Sequence, residues 1–201
     1  MPTANFFKFI FIGLLTVFAG EFQVQVLAAQ KGIGGFLSTL VLYSFFLAVM
    51  YAVSRFFDRK NSPKKEVLYY FVGGLFGLAI EWSMGNGPWV NNGAIQSGMF
   101  AWWAATFLVP RIFMQTADSV TVSVRRRLII FLSIYSVVST FVIVISPQYL
   151  RPAFAGIILA AAYIIINFQF IPYLSRSGIS PVFVRRFMIF LAIAGVAGLF
   201  I

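Results

Sequence analysis

Apolar residues come in seven blocks along this chain, separated by short stretches in which lysine, arginine, glycine, asparagine and proline gather. The blocks are roughly Asn5–Ala19 (with an apolar continuation as far as Ala28), Gly34–Phe57, Val67–Met84, Gly98–Met114, Leu128–Ser146, Ala153–Leu174 and Phe187–Ile201. A helix rises ~1.5 Å per residue, so about 20 apolar residues cross a ~30 Å hydrocarbon layer. The second, third, fifth and sixth blocks meet that length. In the fourth, Pro110 and Arg111 predict a kink and a cation that snorkels to the nearer surface, a deeper Arg111–carboxylate pair being the alternative for which the sequence gives no support. The seventh block is the shortest and spans thinly, with Arg185 and Arg186 reaching back to the headgroups. A variant with six spans and this block lying in the interface leaves everything before it unchanged.

The pattern predicts an all-α protein: a polytopic transmembrane helical bundle of about seven spans, forming one integral membrane domain over residues 1–201. Composition agrees. The chain is 61% apolar and 10% charged, with a mean hydropathy of +0.93, whereas a soluble domain carries ~25% charged residues. The first block resembles a signal sequence in having Lys8, an apolar core and small residues near Ala28. Glu21, Gln23 and Gln25 sit just before the would-be cleavage site, so an uncleaved first helix is the expectation.

Net charge is +10. With the N-terminus in the cytoplasm and spans alternating, all the basic residues except Lys31 and Arg151 fall on the cytoplasmic side. That alternation is the positive-inside pattern, and it supports seven spans independently of hydropathy. The basic residues therefore point to anionic headgroups at the cytoplasmic face of a lipid bilayer as partners, not to nucleic acid. Membrane-protein partners remain compatible with such short loops.

Histidine and cysteine are both absent. This excludes disulfides, thiolate chemistry, His-ligated metals and Ser-His-Asp catalysis, and no metal site is expected. No lysine lies inside a span, so a retinal Schiff base has no attachment point. The acids are Glu21, Asp58, Glu66, Glu81 and Asp118. Asp58, Glu66 and Asp118 fall beside basic residues at the cytoplasmic side, where a solvated role is expected.

Glu21 and Glu81 differ. Glu21 and Gln25 are spaced i, i+4 and share a helix face at the outer end of the first span. Glu81 lies about 14 residues into the third span, ~21 Å across the layer. A carboxylate at such depth faces protein or water, and it either holds a cation, carries a proton, or pairs within the bundle with Arg151 or a tyrosine. The stretch Gly85–Ser97 follows directly. Its Trp89, Asn91, Asn92 and Gln96 give an aromatic surface and amide groups for a loop over an outer cavity, with Trp102 and Trp103 close behind. The plainer reading of these tryptophans is an interfacial aromatic belt.

Small residues mark helix packing: Gly73 and Gly77 on the face that leads to Glu81, and Gly156 and Ala160 on a stripe with Tyr163 and Asn167. Ser133, Ser136 and Thr140 form a third stripe. The functional expectation is a small-molecule or ion binding or transport protein, with its polar site in the outer half. The alternatives are a non-catalytic structural or assembly subunit of a larger membrane complex and an intramembrane enzyme using Glu81 as acid or base.

Overall fold

The computed structural model describes residues 2–30, 32–59, 62–87 and 93–197, and the regular structure among them is all helical. The helices are α1 (Pro2–Glu21), α2 (Gly32–Asp58), α3 (Lys65–Ser83), α4 (Gly93–Met114), α5 (Ser119–Ile145), α6 (Arg151–Gln169), the short α7 (Ile171–Ser175) and α8 (Pro181–Ala197). A π-helical segment, Phe22–Ala28, continues α1, and a 3₁₀ turn, Gln148–Leu150, leads into α6.

Four stretches are long and apolar enough to cross a membrane: Ala4–Ala28, Gly32–Asp58, Ser119–Ile145 and Gln148–Ser175. Their presence marks a membrane-embedded protein. The remaining long helices are shorter or more polar. Helix α3 carries Lys65, Glu66 and Glu81 within 19 residues, α4 carries Gln96 and Arg111, and α8 has 17 residues.

Consecutive long helices run in opposite directions, as side-chain register shows. Phe6 meets Tyr51 while Glu21 meets Tyr43. Tyr69 reaches the Met50 carbonyl while Phe76 meets Phe46. Phe131 and Leu132 pack with Tyr135 against Ala162, and Ile143 packs with Ala155.

Helix α4 is the axis of the bundle. It touches α1, α2, α3, α5, α6 and α8, and every residue from Trp103 to Ile112 is buried. A helix buried all round is apolar all round, which α4 is over that stretch apart from Thr106 and Arg111. Helices α2 and α5 lie outside it. Their outward faces carry exposed Val41 and Phe45 on α2, and Ile134, Val137, Phe141 and Ile145 on α5, apolar surfaces suited to acyl chains.

The α3–α4 seam shows why glycine recurs. A Cβ built on Gly77 falls 2.0 Å from Trp103 Cγ, one on Gly74 falls 2.3 Å from Phe100 Cε2, and one on Gly73 falls 3.3 Å from Phe107 Cδ2. Three aromatic rings of α4 thus press on bare backbone of α3. Gly156, by contrast, has nothing within 4 Å of such a Cβ, while Ala160 is buried in the core.

Helix α5 starts at Ser119, well before the apolar block at Leu128, because Asp118 caps it. The Asp118 carboxylate accepts from the Thr121 N–H (2.9 Å) and hydroxyl (3.0 Å), and it pairs with Arg176. The Thr121 backbone N–H and the Arg176 guanidinium hold its carboxyl down at about 2. Arg125, Arg126 and Arg127 are therefore helical. Arg125 folds back to donate to the Ile112 carbonyl at 2.9 and 3.0 Å.

Candidate functional site

Polar side chains collect at two places, near opposite ends of the bundle. The first contains Glu21, Gln25 and Glu81. The Glu21 carboxylate accepts from Gln25 Nε2 (2.7 Å) and from the Tyr43 hydroxyl (2.9 Å). Thr39 Oγ1 lies 3.1 Å from both Gln25 Oε1 and the Gly35 carbonyl, and the Gln25 NH₂ faces Glu21. This i, i+4 bond falls where α1 gives way to the wider π turns, a local form that frequently accompanies functional sites.

Glu81 is placed by the end of α3. Gly85 takes φ +91°, which a Cβ disfavours, and the chain reverses there. The Asn86 N–H then donates to the Glu81 carbonyl (2.9 Å) and the Gly85 N–H to the Trp82 carbonyl (3.2 Å), the paired bonds of a Schellman cap. The same turn brings Asn86 Nδ2 to Glu81 Oε2 at 2.8 Å. Trp103 Nε1 donates to the other oxygen at 2.9 Å.

The two carboxylates are linked through rings. Tyr43, bonded to Glu21, stacks on Trp103, bonded to Glu81, with centroids 4.9 Å apart and planes 17° apart. Both glutamates line one cavity of about 220 Å³, together with Trp102, Tyr163, Met99 and Leu159. Gly98 and Gly195 also line it and approach closely, a Cβ on Gly195 lying 3.4 Å from Gly98 Cα. The four donors on Glu21 and Glu81 are all neutral. Among the described residues neither carboxylate forms an ion pair.

Gln96 is in the first turns of α4, not in a loop. It accepts from Trp82 Nε1 (2.7 Å) and donates to the Asn86 carbonyl (3.0 Å), so it braces the turn that holds Glu81. Trp89, Asn91 and Asn92 lie outside the described residues. Arg151, considered above as a partner for Glu81, donates instead to the Ser146 and Val144 carbonyls, both at 3.1 Å.

The second polar centre is a deep Arg111–carboxylate pair, and it overturns the expectation that Arg111 snorkels. Arg111 is 0% exposed and does not snorkel. Its guanidinium grips Glu66 with two bonds, Nε to Oε2 at 2.8 Å and Nη2 to Oε1 at 2.9 Å, and lies 3.2 Å from Asp58. It also donates to Ser54 and sits over the Tyr69 ring, 4.7 Å from its centroid. Tyr173 donates to Glu66 at 2.8 Å. Glu66 is accordingly 7% exposed rather than solvated. A usable signal existed: Glu66, Tyr70, Gly73 and Gly77 fall on one helical stripe, the stripe already assigned to packing.

Of the remaining stripes, Asn167 joins three helices. It accepts from the Tyr70 hydroxyl at 2.6 Å and donates to the Ala101 carbonyl at 3.2 Å. The buried stripe of α5 runs through Leu128, Tyr135, Ser139 and Ile143 rather than through Ser133, which is exposed. Comparison of the chain with protein-family models, with curated proteins and with solved structures returned no match.

Proposed function

We propose that this chain binds or transports a small molecule or ion, through a site in the half of the bundle that holds Glu21, Gln25 and Glu81. One observation carries the reading. Two half-buried carboxylates from different helices line the same cavity, and every bond they make to described residues comes from an uncharged donor. An ionised carboxylate inside a membrane helix is placed at a penalty of roughly 3 kcal/mol. At the other centre Arg111 offsets that penalty for Glu66. At this one the natural counterpart is a ligand cation or a proton. An assembly subunit, by contrast, has no need of a carboxylate-lined cavity.

The same reading takes the seven long helices as seven spans, with the N-terminus in the cytoplasm and the Glu21–Glu81 cavity on the outer side. In a bacterium this is the inner membrane. The alternating helix directions and the clustering of basic residues between alternate spans support it.

The test is native mass spectrometry of the full chain extracted gently from its own membrane. A retained small molecule, lost in Glu81→Gln, is the expected result. Stoichiometric protein partners with no bound ligand would replace this reading with that of an assembly subunit.

A further inference from the structure

Resting on the reading of the Glu21–Glu81 cavity as a ligand site, we infer that it takes a small organic ammonium ion, with the charged nitrogen between the two carboxylates and the carbon body against Met99, Leu159 and Trp102.

Charge sets the sign of the ligand. Two glutamates line the cavity, and its described lining contains neither lysine nor arginine. An anion would meet two like charges, and a neutral ligand would leave both uncompensated.

Size and donor set separate an organic cation from a metal ion. About 220 Å³ is below the ~300–1,000 Å³ of pockets for drug-sized ligands, yet far more than one dehydrated ion fills. Ca²⁺ takes six to eight oxygen ligands at ~2.3–2.6 Å, and Mg²⁺ demands a near-ideal octahedron. Here the side-chain oxygens of the lining residues are two carboxylates on separate helices and the Tyr163 hydroxyl, and no group of three or more His, Cys, Asp or Glu side chains that could hold a metal occurs among the described residues.

The walls favour methyl and methylene groups. Met99 and Leu159 are apolar, and Trp102 and Tyr163 add aromatic rings, side chains of the kind that attract a cation. Trp102 keeps its position because α1 has no side chain at Gly20, where a Cβ would lie 2.4 Å from Trp102 Cη2. An alkylammonium satisfies carboxylate, aromatic and aliphatic walls together, which neither a hydrated inorganic cation nor an uncharged isostere does.

The experiment titrates the full chain in lipid nanodiscs and follows tryptophan fluorescence. The probes are ammonium ions from methylammonium through choline to benzyltrimethylammonium, 3,3-dimethylbutan-1-ol (the uncharged isostere of choline), KCl and CaCl₂. At least one ammonium ion is expected to saturate. For choline the alcohol is expected to bind at least about ten-fold more weakly, a comparison made on the unaltered protein. Glu21→Gln and Glu81→Gln should each weaken the best ammonium ion by about ten-fold or more, and Trp102→Leu by about three-fold or more. Equal binding of choline and its isostere overturns the ammonium inference. So does a saturable, Glu81-dependent response to K⁺ or Ca²⁺ with none to the ammonium series, although the cavity then stands as a cation site. No saturable response to any probe, together with no small molecule retained on the native protein, overturns both the inference and the functional reading beneath it.

Discussion

At the scale of single residues the clearest contrast is between Glu66 and Glu81. Both are acids on α3 and both are withdrawn from water, but only Glu66 faces a guanidinium. Arg111 meets it with the two-pronged geometry that makes arginine the usual partner for a carboxylate in a dry site. Removing one member of such a pair leaves an uncompensated charge, at a cost of about 3–5 kcal/mol, whereas replacing both by apolar groups is often neutral. Arg111→Leu is therefore expected to lower the Tm of the detergent-solubilised protein by on the order of 10 °C. The double change Arg111→Leu/Glu66→Leu should recover most of that loss. A double variant no more stable than Arg111→Leu would show that the wider network, with Tyr173 and Ser54, matters more than the pair.

Among the elements, the α3–α4 seam is the least tolerant of change. Trp103 Cβ and Cγ lie 2.1 and 2.0 Å from where a Cβ on Gly77 would be, and these atoms cannot swing aside as a side-chain tip can. Gly77→Ala must separate the helices, at about 1–3 kcal/mol, and should also break the Trp103–Glu81 hydrogen bond. Gly156→Ala has open space and gains about 1 kcal/mol of helix propensity. Thermal unfolding of the two variants side by side is expected to show a drop for Gly77→Ala and an unchanged or raised Tm for Gly156→Ala. Matching losses would mean that α6 packs more closely at Gly156 than the open space there implies.

The whole molecule is electrically lopsided. Asp58, Glu66 and Asp118 gather with Arg55, Arg111 and Arg176 toward one end of the bundle, and the Glu21–Glu81 cavity lies toward the other. Read as seven spans, this places Thr116 and Ser180 in the cytoplasm and Ala29 and Tyr149 outside. The chain has no native cysteine, so single-cysteine labelling starts from a blank background. In right-side-out vesicles an impermeant maleimide is expected to label Ala29→Cys and Tyr149→Cys, and to reach Thr116→Cys and Ser180→Cys only after the membrane is opened. Labelling of all four from one side would exclude the alternating arrangement.

Much of this was legible in the residues themselves. The long apolar blocks define helices and a membrane setting, because burial in lipid is a sum over consecutive side chains and needs no knowledge of neighbours. Spacing alone put Gln25 beside Glu21 and led from Gly73 and Gly77 to Glu81. It did not place Tyr43 beneath Glu21, set Gly195 against Gly98, or find that Arg111 turns inward to Glu66 instead of outward to the headgroups. Each of those contacts depends on how far one helix is rotated about its axis relative to another. For Arg111 and Glu66, on α4 and α3, that rotation goes with the seating of the aromatic rings of α4 on the glycines of α3, and the pattern of either helix alone does not record which ring meets which glycine.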